Sequence, residues 1–156
     1  MKTKLIKTTM CSLLFASSLV TLAAVAMTSA TARADSDGSS CGVDTLHASY
    51  LFATHGWNII GGVAQPKAIV EGIDFNGDGT LVSPFATVSI NGTIVRTTGT
   101  VGTYTVNADC TGTLTFTGGA SFDIFVQPNG KQLWMIQTGP EAVPAVFEGA
   151  VTRVSH

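Results

Sequence analysis

Past residue 41 the sequence predicts an all-β domain: a single antiparallel β-barrel of about eight strands, with a β-sandwich as the alternative arrangement. Three observations predict it. Short runs rich in β-branched and aromatic residues recur along the chain. Gly, Asn, Asp and Pro separate them in turn-forming order. No stretch beyond residue 41 carries the spacing of an amphipathic helix. Runs and turns alternating every 8 to 12 residues or so make antiparallel hairpins. Eight or nine strands suffice to close a barrel and so abolish its edges.

The expected strands are 48–54, 68–75, 81–90, 93–98, 100–106, 112–117, 121–126, 132–137 and 145–154. Asn76-Gly77-Asp78-Gly79, Asn91-Gly92 and Pro128-Asn129-Gly130 join them with residues that tolerate positive φ or preset a turn. Side chains alternate with period two, so faces can be read directly. Ile69, Glu71, Ile73 and Phe75 share one face of their strand. Phe122, Ile124 and Val126 share another, opposite Asp123 and Phe125. Phe147, Val151 and Arg153 share a third, with Gly149 between them and Glu148 facing out. The interior is therefore mostly apolar, with a few misfit charges.

The beginning of the chain reads differently. Lys2, Lys4 and Lys7 precede an apolar stretch over residues 13–27, and Ala32-Arg33-Ala34 follows as a small-x-small pattern. This is the layout of a secretory leader over residues 1–34, with a polar tail over 35–40 and the barrel over 41–156. The alternative is a retained anchor. Ser17, Ser18 and Thr21 interrupt the apolar stretch, which is short for a membrane span of about 20 residues. Removal of the leader leaves 122 of 156 residues, enough for one domain with a core. It also takes four of the eight basic residues and none of the ten acidic ones, turning a net charge of −2 into 4 against 10, or −6. That balance excludes nucleic acid, which needs clustered cations, and disfavours anionic membrane surfaces. The expected location is secreted or periplasmic, with no membrane span after cleavage.

Cys41 and Cys110 are the remaining pair once Cys11 leaves with the leader. An oxidising compartment favours a bridge between them over two free thiols. Closing a loop of about 70 residues is worth roughly 4 kcal/mol in the chain-entropy picture.

Candidate sites are few. Asp74, Asn76 and Asp78 open like a Ca²⁺ loop, with Gly79 at the sixth position, but Phe85 occupies the place of the twelfth-position Glu. The competing reading is a hairpin turn capped by its own side chains. Glu71 shares its face with apolar residues; if that face points inward, it needs a partner, and Arg96 and Arg153 are the expected ones. Such a pair could orient a polar group of a ligand, or Glu71 could act as a general base. Trp134, with Trp57, Tyr50, Tyr104 and the phenylalanines, could line a pocket or fill the core. His47, His55 and His156 show no metal spacing, and no serine elbow or phosphate loop is present. No cofactor is expected. Asn91-Gly92-Thr93 is a formal glycosylation sequon that reads better as a tight hairpin.

Gly102-Thr103-Tyr104-Thr105-Val106 followed by Asp109-Cys110-Thr111-Gly112-Thr113-Leu114 resembles a pattern in an uncharacterised family of secreted bacterial β-barrel proteins. Around it the order of parts is also similar: segment 72–79 comes first, and 122–126, 136–140 and 148–153 come after, so the likeness spans nearly all of the chain past the leader. More distantly the layout is similar to allene oxide cyclase and dirigent-type barrels, which hold hydrophobic ligands. No catalytic motif of those families maps onto this chain, so the resemblance implies fold more than chemistry. The functions to be weighed are a binding module for a small apolar or amphipathic molecule, a cyclase- or isomerase-like enzyme using the same cavity, and a structural protein with a filled barrel. A cavity of roughly 300 Å³ or more with Glu71 at its wall separates the first two from the third.

Overall fold

Strand pairing satisfies the backbone of nearly every segment in the computed structural model, which describes residues 40–155. The expected leader and all of the polar tail except Ser40 lie outside the described residues. A 3-10 turn, Val43–Thr45, precedes nine strands: β1 His47–Ile60, β2 Val63–Asn76, β3 Thr80–Ile90, β4 Thr93–Thr97, β5 Thr100–Val106, β6 Thr111–Phe116, β7 Ser121–Val126, β8 Gln132–Gly139 and β9 Ala145–Arg153. Eight of them close a barrel in the order β2-β1-β9-β8-β7-β6-β5-β3, sealed by β2 against β3. Every pairing is antiparallel.

β4 lies outside the ring, and the register explains why. Ile90 pairs with Thr93, Ala86 with Thr97, Ser83 with Thr100 and Thr80 with Thr103. One register thus runs through both strands, so β4 and β5 form a single ladder along β3, interrupted at Thr98 and Gly99. β6 follows β5 alone. The wall beyond β4 therefore stops short.

β1 and β2 are longer than the sequence suggests. They run on to a two-residue turn at Gly61 and Gly62, both at positive φ, as does the β3–β4 turn at Asn91 and Gly92. These are the turns whose twist suits a two-residue hairpin. Pro66, which interrupts the strand pattern, lies beyond the last β2–β3 pair, Lys67 with Ile90, where a missing N–H is tolerated. The result is a barrel with a tall side and a low side: β1 and β2 have 14 residues each, β6 and β7 six each.

The lower barrel is solid. Phe75 meets Tyr50 and Tyr104 edge-on at 5.2 and 4.9 Å between centroids, and Phe52 meets Phe147 at 5.8 Å, the geometry that ring quadrupoles favour. Leu46, Leu114, Val126, Leu133 and Val151 are fully buried around them. Polar anchors close this end. The Tyr104 hydroxyl accepts from the Gly77 N–H at 3.1 Å and lies 2.8 and 2.9 Å from the Val43 and Leu46 carbonyls. The Tyr50 hydroxyl donates to the Gly130 carbonyl. Cys41 and Cys110 are bridged, with Cα atoms 5.0 Å apart. No helix among the described residues is long and apolar enough to cross a membrane.

Candidate functional site

At the other end, where the longer strands run on past the shorter ones, a cavity of about 440 Å³ opens. Its walls are mostly apolar: Ile69 on β2, Val88 and Ile90 on β3, Val95 on β4, Phe122 on β7 and Phe147 on β9. The β6–β7 turn, residues 117–120, forms the low lip. The space exists because nothing pairs with β4 from that direction.

Two charged side chains line it, Lys67 and Glu71, both from β2. Alternation places them on one face with Ile69 between. Four residues of strand set their Cα atoms about 13 Å apart. Glu71 is the deeper of the two, only 5% exposed. Burial pushes its carboxyl up from 4.5 to about 7, while hydrogen bonding with Ser83 and the charge of Lys67 pull it back. Ser83 is fully buried, and its Oγ also lies 3.2 Å from the Phe85 carbonyl oxygen.

Lys67 stands half-buried nearer the rim. Its Nζ donates to Gln137 Oε1 at 2.9 Å and sits 4.0 Å from the centroid of the Phe147 ring, a cation–π contact. Gln137 is steadied in turn by donating from Nε2 to the Gly139 carbonyl at 3.0 Å. Burial lowers the affinity of Lys67 for its proton, and Glu71 raises it. The row that makes this arrangement is read from the pairing: Lys67 opposite Gly56, and Gly56 opposite Phe147. Gly56 has to be glycine there. A Cβ would stand 2.2 Å from the Val146 carbonyl oxygen and 3.0 Å from Cδ2 of Phe147. One row above, Asn58 pairs with Gln65 and Ala145; it is buried, and its Oδ1 has no hydrogen-bond partner among the described residues.

The residues singled out in the sequence are not brought together. Glu71 lines the cavity as its alternation requires. Arg96 does not reach it: Val95 and Thr97 face the cavity, so Arg96 points the other way from exposed β4. Arg153 is at the closed end, opposite Tyr50, with its Nε 3.3 Å from the Ser155 carbonyl. Trp134 is on the outer wall, because its neighbours Leu133 and Met135 fill the interior; it packs against exposed Phe125, centroids 6.1 Å apart. The charged neighbour of Glu71 in the cavity is Lys67, a residue hidden from the sequence reading by Pro66. Its signal was the parity of 67, 69 and 71.

Of the candidate Ca²⁺ ligands, Asp74 is a β2 strand residue paired with Ser49 and Val82, while Asn76 and Asp78 build the turn. Asp78 Oδ1 accepts from the Thr80 N–H at 2.9 Å and its hydroxyl at 2.6 Å, while Asn76 Nδ2 donates to that hydroxyl at 2.9 Å. Asn107, Asp109 and Thr111 repeat the device. Gly79 in the first turn and Cys110 in the second both take positive φ. These threonine bonds hold the carboxyls of Asp78 and Asp109 below their usual range. His47 and His55 are exposed and apart, and no group of three His, Cys, Asp or Glu that could hold a metal occurs among the described residues. His156 lies outside them.

No family model, no curated protein and no solved structure matches this chain.

Proposed function

We propose that this chain is an exported binding module that takes one small apolar or amphipathic molecule in the mouth of its barrel. The observation that carries the reading is the cavity of about 440 Å³ with Glu71 on its wall, a size within the range of small-molecule sites. Apolar walls supply affinity at about 25 cal/mol per Å² of ligand surface buried. Lys67 and Glu71 supply the polar contacts that fix orientation. The similarity in layout to barrels that hold hydrophobic ligands points the same way. The bridged Cys41 and Cys110 fit an oxidising compartment outside the cytosol.

A fluorescent apolar probe, 1-anilinonaphthalene-8-sulfonate, displaced by decanol tests the reading. Val88→Trp, which puts a bulky ring into the cavity from the β3 wall, is expected to abolish displaceable binding with the fold retained by circular dichroism. Equal binding by the variant would refute the site.

One observation favours a second reading, a cyclase- or isomerase-like enzyme. A carboxyl held at about 7 is matched to general acid–base work near neutrality. Glu71→Gln with affinity intact and turnover lost would favour the enzyme.

A further inference from the structure

We infer that the cavity selects an amphipathic monoanion, such as a carboxylic acid with an apolar body, which pairs with Lys67 at the rim and covers Glu71 as that residue takes up a proton. This rests on the binding function proposed above and names its ligand class.

Lys67 is the only cation lining the cavity and Glu71 the only anion among the described residues; the β3, β4, β5, β6, β7 and β9 walls offer apolar or hydroxyl side chains and backbone. Lys67 faces Gly56, Gln137 and Phe147, and Glu71 faces Phe52, Ala86 and Ser83, none of which titrates. Gln137 and the Phe147 ring occupy two sides of the ammonium. A lysine has three donors, so a donor remains for the cavity. One ammonium suits one negative charge, which favours a monoanion over a phosphate.

Glu71 completes the selection. It lies four residues deeper on the same face, beyond Ile69. A head group bonded to Lys67 therefore sends its apolar body down over Glu71. That body strips the remaining water from the carboxyl, and a desolvated carboxylate beside hydrocarbon takes a proton. The anion on Lys67 simultaneously replaces Glu71 as the partner charge, removing the attraction that favours ionised Glu71. The balance is one ligand carboxylate and one proton bound, with Glu71 passing from carboxylate to acid. A cationic amphiphile would do the reverse, holding Glu71 ionised and being repelled by Lys67.

The test compares decanoate, decanol and decylamine by isothermal titration calorimetry on the oxidised full-length chain. Buffers of different ionisation enthalpy at about pH 8 count the protons exchanged, since most of Glu71 is ionised there. Decanoate is expected to bind tightest, with proton uptake approaching one per ligand, and to tighten as the pH falls towards neutrality. Lys67→Met, which keeps the stem over Phe147, is expected to weaken decanoate about tenfold or more and leave decanol unchanged. Glu71→Gln is expected to keep decanoate binding and abolish its proton uptake. Decanol or decylamine binding as tightly as decanoate overturns the inference while leaving the cavity as a site. Decanoate bound by the unmutated chain without proton uptake also overturns it. Binding of none of the three overturns the proposed function itself.

Discussion

Glu71→Gln removes a charge that the fold resists while keeping the side chain's shape. The carboxyl sits at about 7 in the folded chain against an ordinary 4.5. The folded state therefore holds the proton more tightly than the unfolded state does. Stability from this site is complete below pH 4.5, declines as the pH climbs from there through 7, and is gone above. At 1.4 kcal/mol per tenfold in proton affinity the loss is about 3 kcal/mol. With Glu71 only 5% exposed, solvent screening reduces this little. Glutamine cannot ionise, so the variant is expected to match the parent at about pH 4 and exceed it by up to about 3 kcal/mol at about pH 8.5. For a domain of this size that corresponds to a midpoint higher by about 10 °C. Urea unfolding of both proteins across this range checks it, because other titrating groups cancel in the difference. A parent–variant difference independent of pH refutes the burial of Glu71, and with it the polar floor of the cavity.

Reduction of the Cys41–Cys110 bridge, which spans 69 residues, is expected to cost about 4 kcal/mol, measured by urea unfolding with and without dithiothreitol. Tyr104→Phe takes the hydroxyl from the Gly77 N–H and the Val43 and Leu46 carbonyls; a loss of about 1–3 kcal/mol is expected, with faster hydrogen exchange at Gly77. Gly56→Ala forces backbone apart at the Lys67–Gly56–Phe147 row. It is expected to destabilise by about 1–3 kcal/mol and to move the Phe147 ring resonances, which nuclear magnetic resonance would report.

Alternation made the interior legible. Once a strand was recognised, parity alone placed Phe122, Ile124, Val126, Phe147 and Val151 inside and Glu148 outside, as found. Turn chemistry was equally direct at Asn91-Gly92 and around Asp78, where side chains bond their own backbone locally. What escaped was non-local. Gly56 and Pro66 look like strand breakers, yet each sits where the barrel permits it, so the upper halves of β1 and β2 were not foreseen. Lys67 was lost with them. Aromatic size proved a poor guide to burial at Trp134, because the neighbouring Leu133 and Met135 had already claimed the inner face. Pairing Glu71 with an arginine required knowing which end of the barrel each strand delivers, and that follows from topology, not from local pattern.

The break at Thr98 and Gly99 has a mechanical consequence. β3 is held by β2 along nearly its whole length, from Leu81 to Ile90, and by β5 along its lower part, from Thr80 to Ser83. Peeling β4 away costs only the five pairs it makes with β3, and no hoop of the barrel is cut. Its amides are thus expected to exchange with solvent well ahead of those in the closed ring. The aperture can widen or narrow while the cylinder beneath it keeps its shape, so the size of the guest admitted and the integrity of the fold are governed by separate sets of hydrogen bonds.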